Sequence, residues 1–184
     1  MDQACLKATL ENSDSIFEFI LKLKIIPRSG WKKKAGIASP ESVADHAYSV
    51  AAIAMILSDA KKLDTGKILK MAILHDLAES IIGDLTPEDA SKSKKMRLED
   101  SAMKKILSLF DAKTKKQYWS VWMQYQKNSS KEAKLLHDVD KLEMALQAQV
   151  YSKSHKRQKL EPFLDSAKKQ IIDSDVKKIL EKIL

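Results

Sequence analysis

Apolar residues in this chain recur at intervals of three and four along most of its length, and nowhere in a sustained alternation. In "SVADHAYSVAAIAMILSDA", Val43, Ala47, Val50, Ala51, Ala54 and Leu57 fall on one helical face. The spacing predicts helices near 6–24, 42–61, 65–82, 96–110, 114–127, 130–153 and 164–183. Helix starts are marked by Pro40-Glu41-Ser42 and by Asp64-Thr65. Pro27, Gly30, Gly36 and Pro40 bracket one loop, Gly83 and Pro87 end another segment, and Pro162 is expected to interrupt the C-terminal region. With no strand pattern, repeat or low-complexity tract, the expected fold is all-α: one bundle of about six to seven helices over residues 1–184. Its core is expected at about 16–153, with a helical extension at 162–184. At 44% hydrophobic and 32% charged residues, the chain has the composition of a soluble globular protein.

The formal net charge is +8, and only Arg28, Arg97 and Arg157 among the basic residues are arginine. The lysines are spread along the whole chain on polar helix faces, and no aromatic–basic alternation suits stacked bases. A solvated surface is therefore expected rather than a nucleic-acid patch, and runs such as "SKSKKMRLED" and "DAKTKKQ" read as loop and exposed helix face. Met55, Met71, Met96, Met103 and Met144 follow helical spacing and are expected to fill the core. A lone Cys5, with neither a signal peptide nor a long apolar run, points to a reducing, cytoplasmic setting with no membrane partner.

Against this background "LKMAILHDLAESIIGD" is odd, because an apolar helical pattern ends in His75, Asp76 and Glu79, with Asp84 just beyond. Burying carboxylates beside an imidazole costs several kcal/mol, on the order of 3–5, unless each is paired or a cation sits among them. His46 stands in a stretch of small apolar residues, and "LLHDVDKLEMALQAQ" offers Asp138 and Asp140, which spacing alone cannot separate. Two imidazoles and two carboxylates from three helices would suit Mn²⁺, Fe²⁺, Co²⁺ or Ni²⁺ with open positions. With no thiolate among them, a closed structural zinc site is not expected. Each residue also has a plainer use: His75 as a satisfied core histidine, Glu79 as a lysine's partner, Trp31 as a core plug, Asp84 as a turn residue, Arg28 in a surface ion pair.

Four stretches, "PRSGW", "PESVADHAYSVA", "LHDLAESIIGDLTP" and "DVDKLEMALQA", together resemble the HD-domain 5′-deoxynucleotidase family, in order and spacing over most of the chain. The combined W…ESVxDH…HDxAE…GD run is similar to that of the eukaryotic and archaeal-type members. The resemblance implies His46, His75, Asp76 and Asp140 as metal ligands, which selects Asp140 over Asp138. It implies Glu79 near the attacking water, Arg28 on the phosphate and Asp84 in substrate contact, with Glu79 and Asp84 as holders of any second cation. Trp31, Leu85 and Thr86 complete the implied substrate pocket. In some bacterial members the tryptophan directly follows the arginine, whereas here Ser29-Gly30 intervene.

The implied activity is metal-dependent removal of the 5′-phosphate from deoxyribonucleoside 5′-monophosphates, with Mn, Co or another first-row ion, or Mg, as cofactor. A homodimer is implied, with a small-molecule deoxynucleotide as substrate and no nucleic acid. One rival is an HD phosphohydrolase acting on nucleoside triphosphates or cyclic dinucleotides, but those enzymes carry more helices or motifs than 184 residues accommodate. The other is a non-catalytic basic module that binds nucleic acid, against which the complete ligand set and Glu79 argue.

Overall fold

Six helix starts carry a Ser or Asp whose side chain accepts from the first backbone N–H groups, and these caps set most of the architecture. The structure is a computed structural model that describes Lys7 and residues 10–184; Cys5 and the beginning of the predicted helix 6–24 lie outside the described residues. The helices run α1 Ser13–Lys22, α2 Val43–Ala60, α3 Thr65–Leu74, α4 Glu79–Ile82, α5 Lys92–Leu107, α6 Ala112–Gln126, α7 Lys131–Ser152, α8 Arg157–Gln170 and α9 Ser174–Ile183. Among the described residues there is no β-strand, only an isolated bridge between Pro27 and Ser42. None of the described helices is long and apolar enough to cross a membrane.

The all-α expectation holds, but two predicted helices are each split in two. The segment 65–82 leaves the α-helix after Leu74, and residues 75–78 tighten into a turn held by Leu77 N–H to Leu74 O and Glu79 N–H to Asp76 O. The segment 164–183 breaks at Ile171, whose extended backbone buries its side chain. The Asp138 carboxylate then accepts from the N–H groups of Ile172 (3.0 Å) and Asp173 (2.7 Å). Pro162 causes no break; it is the sixth residue of α8, where its missing N–H forgoes one bond of the helical ladder while the helix continues to Gln170. The run "SKSKK" begins α5, four residues before the predicted start, because Ser91 caps it through Lys94 N–H.

One continuous apolar cluster runs from Leu23 to Leu180. Helix α2 packs on α3 and α7, α7 on α8 and α9, and α6 on α3 and α5. Trp122, Ile68, Met71, Met103, Leu136 and Leu142 are among the fully buried centres. Two methionines expected in the core are outside it: Met55 is 42% exposed on the outer face of α2, and Met96 is 49% exposed at a cavity mouth. The loop between α1 and α2 is closed at its base by Val43 N–H to Ile26 O and Arg28 N–H to Glu41 O, and holds a wide helical turn, Trp31–Ala35.

Candidate metal and phosphate site

Three separate segments aim nitrogen and oxygen atoms at one point. Helix α2 brings His46 from its first full turn, the tight turn after α3 brings His75 and Asp76, and the middle of α7 brings Asp140. His46 Nε2 lies 3.3 Å from Asp140 Oδ1 and 3.7 Å from Asp76 Oδ2, and His75 Nε2 lies 3.2 Å from Asp76 Oδ2. Ligand atoms of His46, His75 and Asp140 all fall within 4.8 Å of one another. Both Nε2 atoms are buried without a hydrogen-bond partner. The other nitrogen of each ring is committed: His75 Nδ1 donates to Ala72 O at 2.7 Å, and His46 Nδ1 donates to Glu143 Oε2 at 2.7 Å. These partners fix the tautomer and turn both Nε2 lone pairs inward, as in a metal site.

The electrostatics ask for a cation. Burial and Arg28 disfavour a charged His46, yet the carboxylates of Asp140 and Glu143 outweigh them and raise its pKa to about 10. Burial likewise opposes ionisation of Asp76, but His75, Arg28 and His46 hold its carboxyl well below the usual range. Asp140 is also held well below it, against burial, by Lys141, His46 and His75. A divalent ion between the imidazoles and these acids would take the place of the proton on His46 Nε2. The buried His/Asp cluster therefore fits a divalent metal.

Beside this point opens a cavity of about 650 Å³, whose wall includes Arg28, Glu79, Asp84, Lys95 and Tyr125. Arg28 Nη1 lies 3.5 Å from Asp76 Oδ2 and 3.8 Å from Asp84 Oδ1. Burial works against the guanidinium charge, and Asp76 and Asp84 more than restore it. Asp84 Oδ2 accepts from Ser29 N–H at 2.6 Å, which ties the arginine's loop to the turn after α4. Gly83 makes that turn with φ +76°, a left-handed value that favours glycine. Glu79 is 1% exposed; burial, Asp76 and Asp84 push its pKa well above the ordinary carboxylate value against Arg28 and Lys95. Such a carboxylate holds a proton more tightly than an exposed one, which suits a group that accepts a proton from water.

Residues 20–181 match the HD domain family. The 5′-deoxynucleotidase HDDC2 of Dictyostelium discoideum is 37% identical over 171 residues, covering 86% of this chain and 90% of its own. The human 5′-deoxynucleotidase HDDC2 is 40% identical over 147 residues, covering 79% of this chain and 71% of its own. This chain belongs to the HD-domain 5′-deoxynucleotidase family. A solved structure of a Pyrococcus horikoshii OT3 protein, 34% identical, superposes with a TM-score of 0.77 over 92% of this chain and 96% of that one.

The HD-domain residues singled out from sequence all line or adjoin the cavity, but not equally. Trp31 is 3% exposed: its ring stacks on Phe163 at 4.1 Å, meets Tyr151 edge-on, and donates Nε1–H to Glu41 Oε1 at 2.8 Å. The Ser29-Gly30 spacer lets Arg28 point into the cavity while Trp31 folds into the core, leaving only part of the indole on the cavity wall. Thr86 is buried and already donates its hydroxyl to Asp89, while Leu85 O accepts from Lys95 Nζ at 3.1 Å. Asp138 faces the other side of α7 and anchors the α8–α9 junction.

Three residues of this HD domain escaped the sequence reading. Lys95 Nζ, 3.5 Å from Glu79 Oε1 and 3.6 Å from Glu99 Oε1, lay hidden in a run read as surface lysines. Glu143 lies three residues after Asp140, a helical neighbour whose spacing carried the signal. Glu41 sits within 4.8 Å of His46 and Glu143, and burial together with Glu143 raises its pKa to about 7. Glu41 falls inside the ESVxDH run, but nothing in its spacing assigned it a place at the site, which it reaches by loop closure.

Proposed function

We propose that this protein hydrolyses deoxyribonucleoside 5′-monophosphates to a deoxynucleoside and inorganic phosphate, with a divalent metal held by His46, His75, Asp76 and Asp140. The observation that carries this reading is the pair of buried, unpartnered Nε2 atoms facing two ionised carboxylates beside a cavity with a half-buried arginine. A bound ion there lowers the pKa of water and screens the charge of a phosphate oxygen. Glu79, with its raised proton affinity, orients the attacking water and accepts its proton. Arg28 holds the non-bridging phosphate oxygens as charge shifts during in-line displacement, and its fork geometry suits that task. Asp84 keeps Arg28 and Ser29 in place, and with Glu79 forms the pair that would hold a second cation. Leu85, Thr86 and the part of the Trp31 indole on the cavity wall bound the nucleoside side of the cavity.

Manganese or cobalt are the favoured ions for the mixed N/O set, with magnesium as an alternative. Residues 1–184 work as one domain in the cytoplasm, and a homodimer is supported by the exposed apolar residues Phe17, Ile20 and Leu21 of α1 with Ile25 just beyond it. Light scattering on protein with Leu21→Glu tests the dimer; an unchanged dimer mass would move the interface elsewhere.

The deciding experiment is phosphate release from dAMP, dGMP, TMP and AMP by metal-stripped protein with Mn²⁺, Co²⁺, Mg²⁺ or Zn²⁺ added back singly. Turnover of the deoxynucleotides well above AMP, restored by one ion, supports the reading. Silence on every monophosphate with metal bound overturns it, and release of triphosphate from deoxynucleoside triphosphates would assign the rival activity.

A further inference from the structure

A second and larger cavity, about 920 Å³, opens between the first half of α7, the turn from α2 to α3, and the segment leaving α8. Its wall carries Lys61, Lys131, Lys134, Lys141 and Lys169 against two carboxylates, Asp138 and Asp173. Both acids are already committed. Asp138 accepts from the Ile172 and Asp173 N–H groups; Asp173 caps α9 through Asp175 and Val176 N–H and holds Lys61 at 2.9 Å. Lys141 lies 2.9 Å from Asp140 Oδ2. Among the described residues, Lys131, Lys134 and Lys169 have no carboxylate within salt-bridge distance, so the cavity keeps a surplus of unmatched positive charge.

The wall is not uniformly polar. Leu63 and the edge of the buried Leu135 contribute an apolar floor, and Ile172, 78% exposed, stands at its rim. Apolar side chains sharing a cavity wall with unmatched lysines suit a ligand with a flat apolar part and several negative charges. The volume lies within the usual range for small-molecule sites, and the concave shape suits one molecule better than an extended strand. We propose that this cavity binds a nucleoside triphosphate, the base over Leu63, Leu135 and Ile172 and the phosphates among Lys131, Lys134 and Lys169. The site adjoins the metal and phosphate site, sharing His137, Lys141 and Gln170 with it, and its unmatched lysines lie outside that site. Lys141 links them: it lines both cavities and pairs with Asp140, so phosphates that draw its ammonium toward the second cavity alter the charge beside the metal ligands.

The test is calorimetric titration of the full-length protein with dATP in EDTA, which removes any contribution from bound metal. The variants are Lys134→Glu/Lys169→Glu, on exposed positions of α7 and α8, and Arg28→Ala in the catalytic cavity, with unchanged melting temperatures verifying the fold. The expected result is a loss of affinity of about tenfold or more in the double lysine variant and a change within about twofold in Arg28→Ala. Tripolyphosphate should bind more weakly than dATP because it has nothing to place on the apolar floor. Binding lost in Arg28→Ala but kept in the lysine variant would overturn the proposal. So would equal binding of tripolyphosphate, or a preference for a single-stranded oligonucleotide over dATP. Each outcome is read without turnover, so it stands apart from the assignment of the catalytic reaction.

Discussion

Asp138 and Asp140 sit two residues apart on α7, yet replacing them should damage different properties. Asp138 is 5% exposed, and its two carboxylate oxygens accept from two consecutive backbone N–H groups, at 3.0 and 2.7 Å, where the chain turns from α8 into α9. Asp138→Ala leaves both donors without their protein acceptor at a half-buried junction that water can reach in part, at about 1–2 kcal/mol for each. The loss should total about 2–4 kcal/mol, or about 5–15 °C in Tm for a domain of this size. Asp138→Asn keeps one acceptor oxygen and should recover about half. The assay is urea unfolding of metal-free protein at constant m-value, with metal-dependent phosphate release measured at 25 °C. Asp138→Ala should keep turnover within a few-fold while folded, whereas Asp140→Ala should abolish it at near-normal stability. A stability loss below about 1 kcal/mol in Asp138→Ala would show that the two hydrogen bonds do not hold the junction. Abolished turnover in folded Asp138→Ala would reverse the roles of the two aspartates.

Three further outcomes follow from the same geometry. Glu41 has a folded pKa raised to about 7 by burial and by Glu143, so its contribution to stability is present below its unfolded value and is lost as pH rises toward 7. Glu41→Gln should therefore stabilise the metal-free protein more at pH 8 than at pH 4.5 in denaturant titrations; an equal gain at both would show an unshifted carboxyl. Gly83→Ala has open space for its Cβ but a φ of +76°, so it should cost about 1–3 kcal/mol through backbone strain alone and lower turnover by moving Asp84; thermal melts and kcat/KM check both effects, and an unchanged melt refutes them. Arg28→Lys keeps the charge and loses the fork, so kcat/KM should fall by about 100-fold with the melting temperature held; near-normal kcat/KM would remove Arg28 from the phosphate.

Much of this arrangement was legible in the sequence because helical periodicity and capping residues are local. The 42–61 pattern became Val43–Ala60 under a Ser42 cap, and 130–153 became Lys131–Ser152 under Ser130. The two split helices were not legible, since each break depends on a partner far away in the chain. Ile171–Asp173 leaves the helix to bury Ile171 and meet Asp138, and 75–78 tightens where His75 and Asp76 meet His46 and Arg28. The chemical residues were legible where their type was improbable for their position, as with His46 and Glu79. Lys95 and Glu41 were not, because a lysine among lysines and a glutamate beside a proline look ordinary until the fold brings them to a buried carboxylate or imidazole.

The hydrogen bond between His46 and Glu143 joins residues 97 positions apart, and the neighbouring cluster draws on α2, the turn after α3, and α7. An ion gripping those side chains would behave as a cross-link closing loops of many tens of residues. The chain entropy removed from the unfolded ensemble by closing such long loops is of the kind a disulfide removes, on the order of a few kcal/mol. In a protein with 1 cysteine, that makes the metal the available clasp, so chelation should loosen the packing of α2 on α7 as well as silence the chemistry.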